Sequence, residues 1–401
     1  MKKIWISGSL SFLVAISLVA CGAVDESTEA PEQEAPQQEA LKNTNFHVFV
    51  IAMENHDAAQ IYGNTTAAPY INKTLMANYA WGSNFVDTLP ALWSEPHYVV
   101  MEGGKNNFSD HTFSTDDDPS ASNSTSSTDH LVTQLKNNGL SWMSYQEGMT
   151  AGKCPIASSG NYGAKHNPFI FFKDVSGSPP SATNPYCIAH HKPHSQLAAD
   201  LSSGSIANYV FITPNLCHDM HDKCSAPSAV AGGDAWLSTA VPPIINYLNS
   251  HNGVLFIVWD EGELSTRMPF LAIGKTVKKG QNTVMYSHAS LVKSTERIFG
   301  LPVNAAAVNS NDFRALFTDD PLGVATTGDE CPADASKTQP GICGCGHADR
   351  SDKSGYTDAK GYGCTDWLDY DCKRAQEDHG YTAAQEANLL ASCSLSCGVC
   401  L

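Results

Sequence analysis

Three short apolar runs stand out from a polar background along the chain: "FHVFVIAM" (46–53), "NYVFITP" (208–214) and "GVLFIVWD" (253–260). Each is rich in β-branched and aromatic residues and lacks the apolar–polar alternation of a half-covered strand. Each therefore predicts a central strand of a parallel sheet, buried on both faces. Helical patterns lie between them. "DHLVTQLKNNG" (129–139) has apolar residues at helical spacing and a glycine stop, and the stretches at 235–253 and 289–300 behave alike. In "WSEPHYVVMEGG", Pro96 fixes the backbone just after Ser94 and disfavours helix at Glu95. A helix beginning near Pro96 and running to the two glycines is expected, because proline suits a first turn. Strand alternating with helix predicts an α/β sandwich: a central, mostly parallel sheet flanked by helices. The polar segment "STDDDPSASNSTSSTD" (114–129) reads as a surface loop.

The two ends have other textures. Residues 1–21 carry two lysines, a short apolar run and small residues before Cys21, the pattern of a secretory signal too short to span a bilayer comfortably. Leu18-Val19-Ala20-Cys21 resembles a bacterial lipobox, in which Cys21 is lipidated and anchors the mature chain to a membrane. An ordinary cleaved signal beside a coincidental cysteine is the competing reading. The lipobox places the protein outside the cytoplasm, as a bacterial lipoprotein of the outer membrane, periplasm or cell surface. Residues 22–43 are rich in acids, Gln, Ala and Pro, which suits a disordered tether. A catalytic domain is expected over 44–322, a Cys-rich linker over 323–362 and a small crosslinked module over 363–401. Setting Cys21 aside leaves twelve of the 13 cysteines, an even number that favours disulfides in an exported chain. Cys217 and Cys224 are close enough in sequence to pair. Cys154 and Cys187 are the other two of the central region, and spacing alone does not give the connectivity.

The formal net charge is −17, from 24 Lys and Arg against 41 Asp and Glu. No basic stripe exists to neutralise phosphates, so a nucleic-acid partner is excluded. Most of the acid reads as solvated surface, but acids also stand beyond the strand runs. Glu54 and Asn55 follow the first run, Asp260 and Glu261 follow the third, and Asn215 opens "NLCHDMHD" after the second. In an open parallel sheet, ligands bind beyond the carboxyl ends of the strands. One acid at a strand tip is an ordinary turn residue. Three tips together bring carboxylates into mutual repulsion, which a divalent cation relieves. Oxygen ligands with one or two histidines suit Mg, Ca, Mn or Zn.

The motifs "MENHD", "SEPHY", "KHNPF", "TPNLCHDMHD", "GDAWL", "WDEGE" and "YSHASLVKSTERIFGLP", in that order over residues 46 to 302, resemble a known family. It is the bacterial and fungal phosphoesterase family of acid phosphatases and phosphatidylcholine-type phospholipases C, within the alkaline phosphatase superfamily. The resemblance implies Ser94 as nucleophile, with Glu54, Asn55, Asp260 and Glu261 holding a metal beside it. It implies His166 in the phosphate pocket, and Asn215, Asp219 and His288 at a second metal position. His97 stands where the family usually has Asn, and is expected either to donate to a phosphate oxygen or to serve packing. Asn215 is a neutral residue at a position that takes Asp, which would weaken the second site. His221 and Asp222 receive no role. The tail, with "CTDW" and "SCSLSCGVC", resembles the ShK-type toxin-like module, although five cysteines follow from Cys364 where that module carries six.

A serine hydroxyl is a weak nucleophile at neutral pH and needs a base or a metal to activate it. The reading that follows is a metal-dependent hydrolase of phosphoric esters acting through a phosphoseryl intermediate, with phosphomonoesters as substrates. Phospholipase C activity on phospholipid headgroups is the alternative within the family. A surface binding protein working through the Cys-rich tail, with a surface protein or a carbohydrate as partner, is the alternative of another class. Taken alone, Ser94 reads sooner as a helix N-cap than as a nucleophile.

Overall fold

The computed structural model describes residues 43–319, 321–322, 352–367, 370, 372–394 and 396–397. The expected signal, lipobox, tether and most of the Cys-rich linker lie outside the described residues. No described helix is long and apolar enough to cross a membrane.

Among the described residues ten strands form in chain order: β1 Phe46–Met53, β2 Ala80–Gly82, β3 Phe85–Val86, β4 Trp142–Gln146, β5 His191–Pro193, β6 Tyr209–Thr213, β7 Asn252–Trp259, β8 Arg267–Met268, β9 Phe270–Ile273 and β10 Gly280–Asn282. Eight of them make one sheet in the order β10-β2-β9-β7-β1-β6-β4-β5, and β3 and β8 pair separately. The three runs singled out by their apolar continuity are the adjacent strands β7, β1 and β6. They are parallel, with Ile51 opposite both Ile212 and Ile257. Their side chains are almost wholly buried on both faces, which is why the runs show no alternation. Within the eight-stranded sheet β9 runs against its neighbours β7 and β2, and β3 and β8 are antiparallel to each other.

Four helices matter here: α1 Ser94–Gly103, α2 Leu131–Asn137, α3 Ala229–Leu248 and α4 His288–Ile298. All ten residues of α1 are buried, and it packs against α4. One expectation is corrected. The helix begins at Ser94, two residues before Pro96, so Glu95 is helical and Trp93 is the extended N-cap. Pro96 is the third residue of the helix, inside the first turn, where its missing N–H has no intrahelical partner to lose. Glu95 is held by contacts to the polar loop: its Oε2 accepts from the Thr115 hydroxyl at 2.5 Å and the Asp117 amide at 2.9 Å.

Disulfides join Cys154 to Cys187 and Cys217 to Cys224 in the large domain. In the tail they join Cys364 to Cys393 and Cys372 to Cys397 around a small core of its own, with Trp367, Ala375, Tyr381 and Leu389. A module of this size lacks the buried surface to hold itself without such crosslinks. The Arg267 guanidinium, buried on β8, donates to the Ser396 carbonyl and so ties the tail to the large domain. Cys331, Cys343, Cys345 and Cys400 lie outside the described residues.

Candidate active site

The ends of β1 and β7 hold each other in place beyond the regular ladder. The Asp260 amide donates to the Met53 carbonyl at 3.0 Å, and the Asn55 amide donates to Asp260 Oδ1 at 2.8 Å. The Glu54 amide reaches across to the Asp219 carbonyl at 2.8 Å. Two strands and the loop after a third are thereby locked into one rim, with Glu54, Asp219, Asp260 and Glu261 all buried.

Helix α1 presents Ser94 to this rim. The Ser94 hydroxyl lies 3.2 Å from Glu54 Oε2 and 3.2 Å from Glu261 Oε1. One turn on, Tyr98 donates its hydroxyl to the other Glu54 oxygen at 2.5 Å. Tyr98 also stacks on the His166 ring, with centroids 5.0 Å apart and planes 10° apart. Tyr98 is the site residue that sequence reasoning did not single out. Its i,i+4 spacing from Ser94 was the available signal, because residues four apart share a helix face.

His166 Nδ1 is 3.3 Å from Glu54 Oε1 and 3.7 Å from Asp219 Oδ2. Burial pulls its pKa down to about 3, against the pull of Asp260, so the ring is neutral. The carboxyls go the other way. Burial first, then Asp260, Asp219 and Glu261, push Glu54 well above the usual range. Burial raises Asp260 as well, and takes Asp219 and Glu261 up to about 8. Four acids have been brought together at a desolvation cost that their own hydrogen bonds do not remove.

The donor set fits a divalent cation. Glu54, His166 and Asp219 each offer a ligand atom, all within 4.8 Å of one another. His166 Nε2, Asp219 Oδ2 and Asp260 Oδ2 are buried without a hydrogen-bond partner. A neutral imidazole and carboxylate oxygens are the ligands that hard and borderline dications take.

The remaining candidates make other contacts around this group. Asn55 contributes its backbone amide, with its side chain half-buried at the strand tip. The Asn215 side-chain oxygen accepts from the Cys217 amide at 2.9 Å, capping its own turn. His288 Nε2 bonds to the Trp259 carbonyl at 2.8 Å, behind the β7 tip, and its ring faces His97 at 6.1 Å. Neither joins the Glu54–His166–Asp219 group, although Asp219 itself does. His97 does not point at the Ser94 hydroxyl. Its Nε2 bonds to Asp87 at 2.9 Å and its Nδ1 to the Trp93 carbonyl at 2.7 Å, so both ring nitrogens are used. Burial lowers its pKa, but Asp87, Asp260 and Glu261 outweigh that and hold it at about 9. It is a buried cation tying down the N-terminus of α1. Ser94 is not an N-cap: that place belongs to Trp93. His221 sits at the rim, 6.1 Å from the His166 ring, with Nδ1 2.9 Å from Asp222.

Two backbone features position the acids. The Asp219 loop is closed by Cys217–Cys224, and within it Met220 has a φ of +86°, a conformation that non-glycine residues rarely adopt outside constrained sites. After Glu261, a Cβ on Gly262 would lie 1.9 Å from the Ser265 carbonyl oxygen and 2.8 Å from Asp57 Oδ1. Asp57 collects the amides of Glu263, Leu264 and Ser265 at 2.9 to 3.1 Å, so the turn is drawn tight against it.

A mostly parallel α/β sandwich with a serine and a carboxylate–histidine group at its strand tips defines a hydrolase-type centre. The phosphoesterase family matches residues 88–302, and the chain belongs to it; it is a hydrolase acting on phosphoric ester bonds. The match starts after the Glu54 tip, and β1 carries Glu54 to the Ser94 hydroxyl. A phosphatidylinositol-3-phosphatase of Mycobacterium tuberculosis is 28% identical over 278 residues, covering 69% of this chain and 84% of its own. A phosphate-repressible acid phosphatase of Penicillium chrysogenum is 28% identical over 222 residues, covering 52% of this chain and 50% of its own. A probable acid phosphatase of Kluyveromyces lactis is 26% identical over 270 residues, with coverages of 63% and 58%. The chain thus spans between half and three-fifths of these fungal relatives. Among solved structures, a protein in the alkaline phosphatase superfamily from Vibrio parahaemolyticus aligns with a TM-score of 0.40 at 12% identity, covering 67% of this chain and 70% of that one.

Proposed function

We propose that the chain is a metal-dependent phosphomonoesterase with Ser94 as its nucleophile. The observation that carries this reading is the Ser94 hydroxyl at 3.2 Å from both Glu54 and Glu261, over a buried group of acids. Glu54, His166 and Asp219 would hold one divalent cation, with Asp260 and Glu261 buried on the same rim. When bound, such a cation supplies Lewis acidity and offsets charge on the phosphoryl oxygens.

Ser94 hands its proton to one of the two carboxylates it contacts and its oxygen attacks phosphorus. The O–P bond to serine forms, the ester O–P bond breaks, and the leaving alcohol takes up a proton. Water then cleaves the phosphoserine from the opposite side, releasing phosphate and restoring the hydroxyl. His166 orients the oxyanion side, and Tyr98 keeps Glu54 aimed at Ser94. The test is hydrolysis of p-nitrophenyl phosphate by parent and Ser94→Ala, each with and without chelator, plus acid-quenched peptide mapping. Chelator should abolish the parent's activity, and the quenched peptide should carry phosphate on Ser94. A Ser94→Ala enzyme with parental kcat/KM sinks the reading.

A second reading concerns the leaving group. Trp93, adjacent to Ser94, is 66% exposed, and Leu264, three residues after Glu261, is 79% exposed. Two large apolar side chains left in water, one next to Ser94 in the chain and one three residues after Glu261, favour a phosphate ester carrying an apolar group, lipid esters included. The name of the Mycobacterium tuberculosis relative points the same way. Release of inositol phosphate or phosphocholine would mark phospholipase C action, and release of inorganic phosphate a phosphatase. Export and lipid anchoring through Cys21 belong to the same proposal, supported by the lipobox letters. Cys21→Ser should then move the chain from the membrane fraction to the soluble fraction.

A further inference from the structure

We propose that the C-terminal module carries a carbohydrate-binding site, separate from the hydrolytic centre. The module contains a cavity of about 390 Å³ lined by Tyr362, Trp367, Tyr370, His379 and Tyr381. Lys360 and Asp366 complete its lining. The volume is at the small end of ligand pockets, suited to one sugar ring or two.

The walls are built before any ligand arrives. Asp358, buried, accepts the Trp367 indole N–H at 2.8 Å and the Tyr381 hydroxyl at 2.7 Å on one oxygen. Its other oxygen accepts the backbone N–H groups of Lys360 at 2.8 Å and Tyr362 at 3.0 Å. One carboxylate thus fixes two rings and the strip of chain that carries two more lining residues. Trp367 meets Tyr381, His379 and Tyr370 edge to face at 5.5, 5.5 and 6.1 Å. The polar ends of Trp367 and Tyr381 are spent inward on Asp358. Preorganised rings of this kind bind without a further ordering cost.

Tyr362 and Tyr370 are each 53% exposed, an unusual use of two large aromatics in a module with so small a core. A pyranose presents an apolar C–H face that packs on aromatic rings and a rim of hydroxyls that need donors and acceptors. Exposed tyrosine plates beside an ammonium and a carboxylate supply both. A quaternary ammonium group, the other common guest of aromatic cages, is disfavoured by the chain itself. Lys360 Nζ already lies 4.7 Å above the Tyr381 ring and donates to the His379 carbonyl, so a second cation would meet it. The small concave shape likewise suits a sugar ring rather than the broad patch of a protein partner.

The experiment uses the full chain in native gels containing hydroxyethyl cellulose, galactomannan, laminarin or soluble peptidoglycan fragments. The parent should be retarded by at least one of them. Tyr362→Ala/Tyr370→Ala should lower the association constant at least tenfold, leaving p-nitrophenyl phosphate hydrolysis and the thermal midpoint unchanged. Tyr362→Phe/Tyr370→Phe, which keeps the plates, should still bind. Absence of retardation in every gel overturns the proposal, as does equal retardation of the double-alanine variant. Tetramethylammonium chloride displacing the polysaccharide at millimolar concentration would mark a cation cage and overturn it too.

Discussion

Tyr98 and Ser94 share one carboxylate: the phenol hydroxyl is 2.5 Å from Glu54 Oε1 and the serine hydroxyl 3.2 Å from Glu54 Oε2. They stand one turn apart on α1, so the helix grips Glu54 from both sides. Tyr98→Phe removes one of those grips and keeps the ring stacked on His166. A hydrogen bond to a charged group contributes about 1.5–3 kcal/mol, so kcat/KM should fall roughly 10- to 100-fold. Steady-state kinetics on p-nitrophenyl phosphate check this, with the thermal midpoint as the control for folding.

Gly262→Ala should damage the site more than the fold. The added methyl has no room against the Ser265 carbonyl, so the turn carrying Glu261 must open and Asp57 must release amides. Activity should drop on the order of 100-fold, because small displacements of positioned groups cost that much. An active Gly262→Ala enzyme would show that Glu261 tolerates displacement.

The Cys217–Cys224 bridge closes a loop of seven residues' separation around Asp219. Cys217→Ala/Cys224→Ala should cost about 2.5 kcal/mol or less by the chain-entropy estimate for so short a loop. Activity should fall further than stability, since the loop holds Met220 in its left-handed conformation and Asp219 beside Glu54. Urea unfolding and kcat/KM measured on the same preparation separate the two effects.

Stability should depend on pH through a cluster remote from the chemistry. His130 is fully buried between Glu102, at 2.7 Å, and Asp174, at 3.1 Å. Burial lowers its pKa, but hydrogen bonds to Asp174 and Glu102 outweigh that and hold it at about 9, above the ordinary 6.5. The charged ring therefore contributes stability in full below pH 6.5, and the contribution disappears as pH rises through about 9. Glu102, itself pushed up by burial, offsets part of the gain. Relative to His130→Gln, the parent should lose on the order of 2 kcal/mol between pH 6 and 9.5. Urea titrations at the two pH values measure it, and a difference that does not change with pH would contradict it.

Trp93→Ala and Leu264→Ala should spare stability, because both side chains are largely in water. On an apolar ester such as 1-naphthyl phosphate, KM should rise several-fold, in line with losing about 1–2 kcal/mol of apolar contact. On glycerol 2-phosphate it should not change. Equal effects on the two substrates would remove the case for an apolar leaving group.

The central strands were legible because burial on both faces leaves an uninterrupted apolar run, and β1, β6 and β7 carry that mark. Ser94, Glu54, Asp219, Asp260 and Glu261 were legible as strand-tip and motif residues. His97, Asn215 and His288 show what a motif leaves open. A residue's type says what it can bind, whereas its rotamer and neighbours decide what it does bind. His97 turned to Asp87, Asn215 to its own turn and His288 to the Trp259 carbonyl. Helix α1 starts two residues ahead of the position that proline's local preference favours, because packing buries the whole helix.

The sequence by itself determined the layered α/β plan, the acids at the strand ends and the crosslinked tail, since hydrophobic period, turn chemistry and cysteine density are local properties of the chain. Only the tertiary structure decided that Tyr98 shares Glu54 with Ser94, and that His97, Asn215 and His288 spend their polar atoms on Asp87, the Cys217 amide and the Trp259 carbonyl. It also decided that His166 lies among the acids and that one aspartate organises the aromatic pocket of the tail. Most of those relationships join residues far apart in sequence, and their distances are set by strand register and helix packing, which no local pattern encodes.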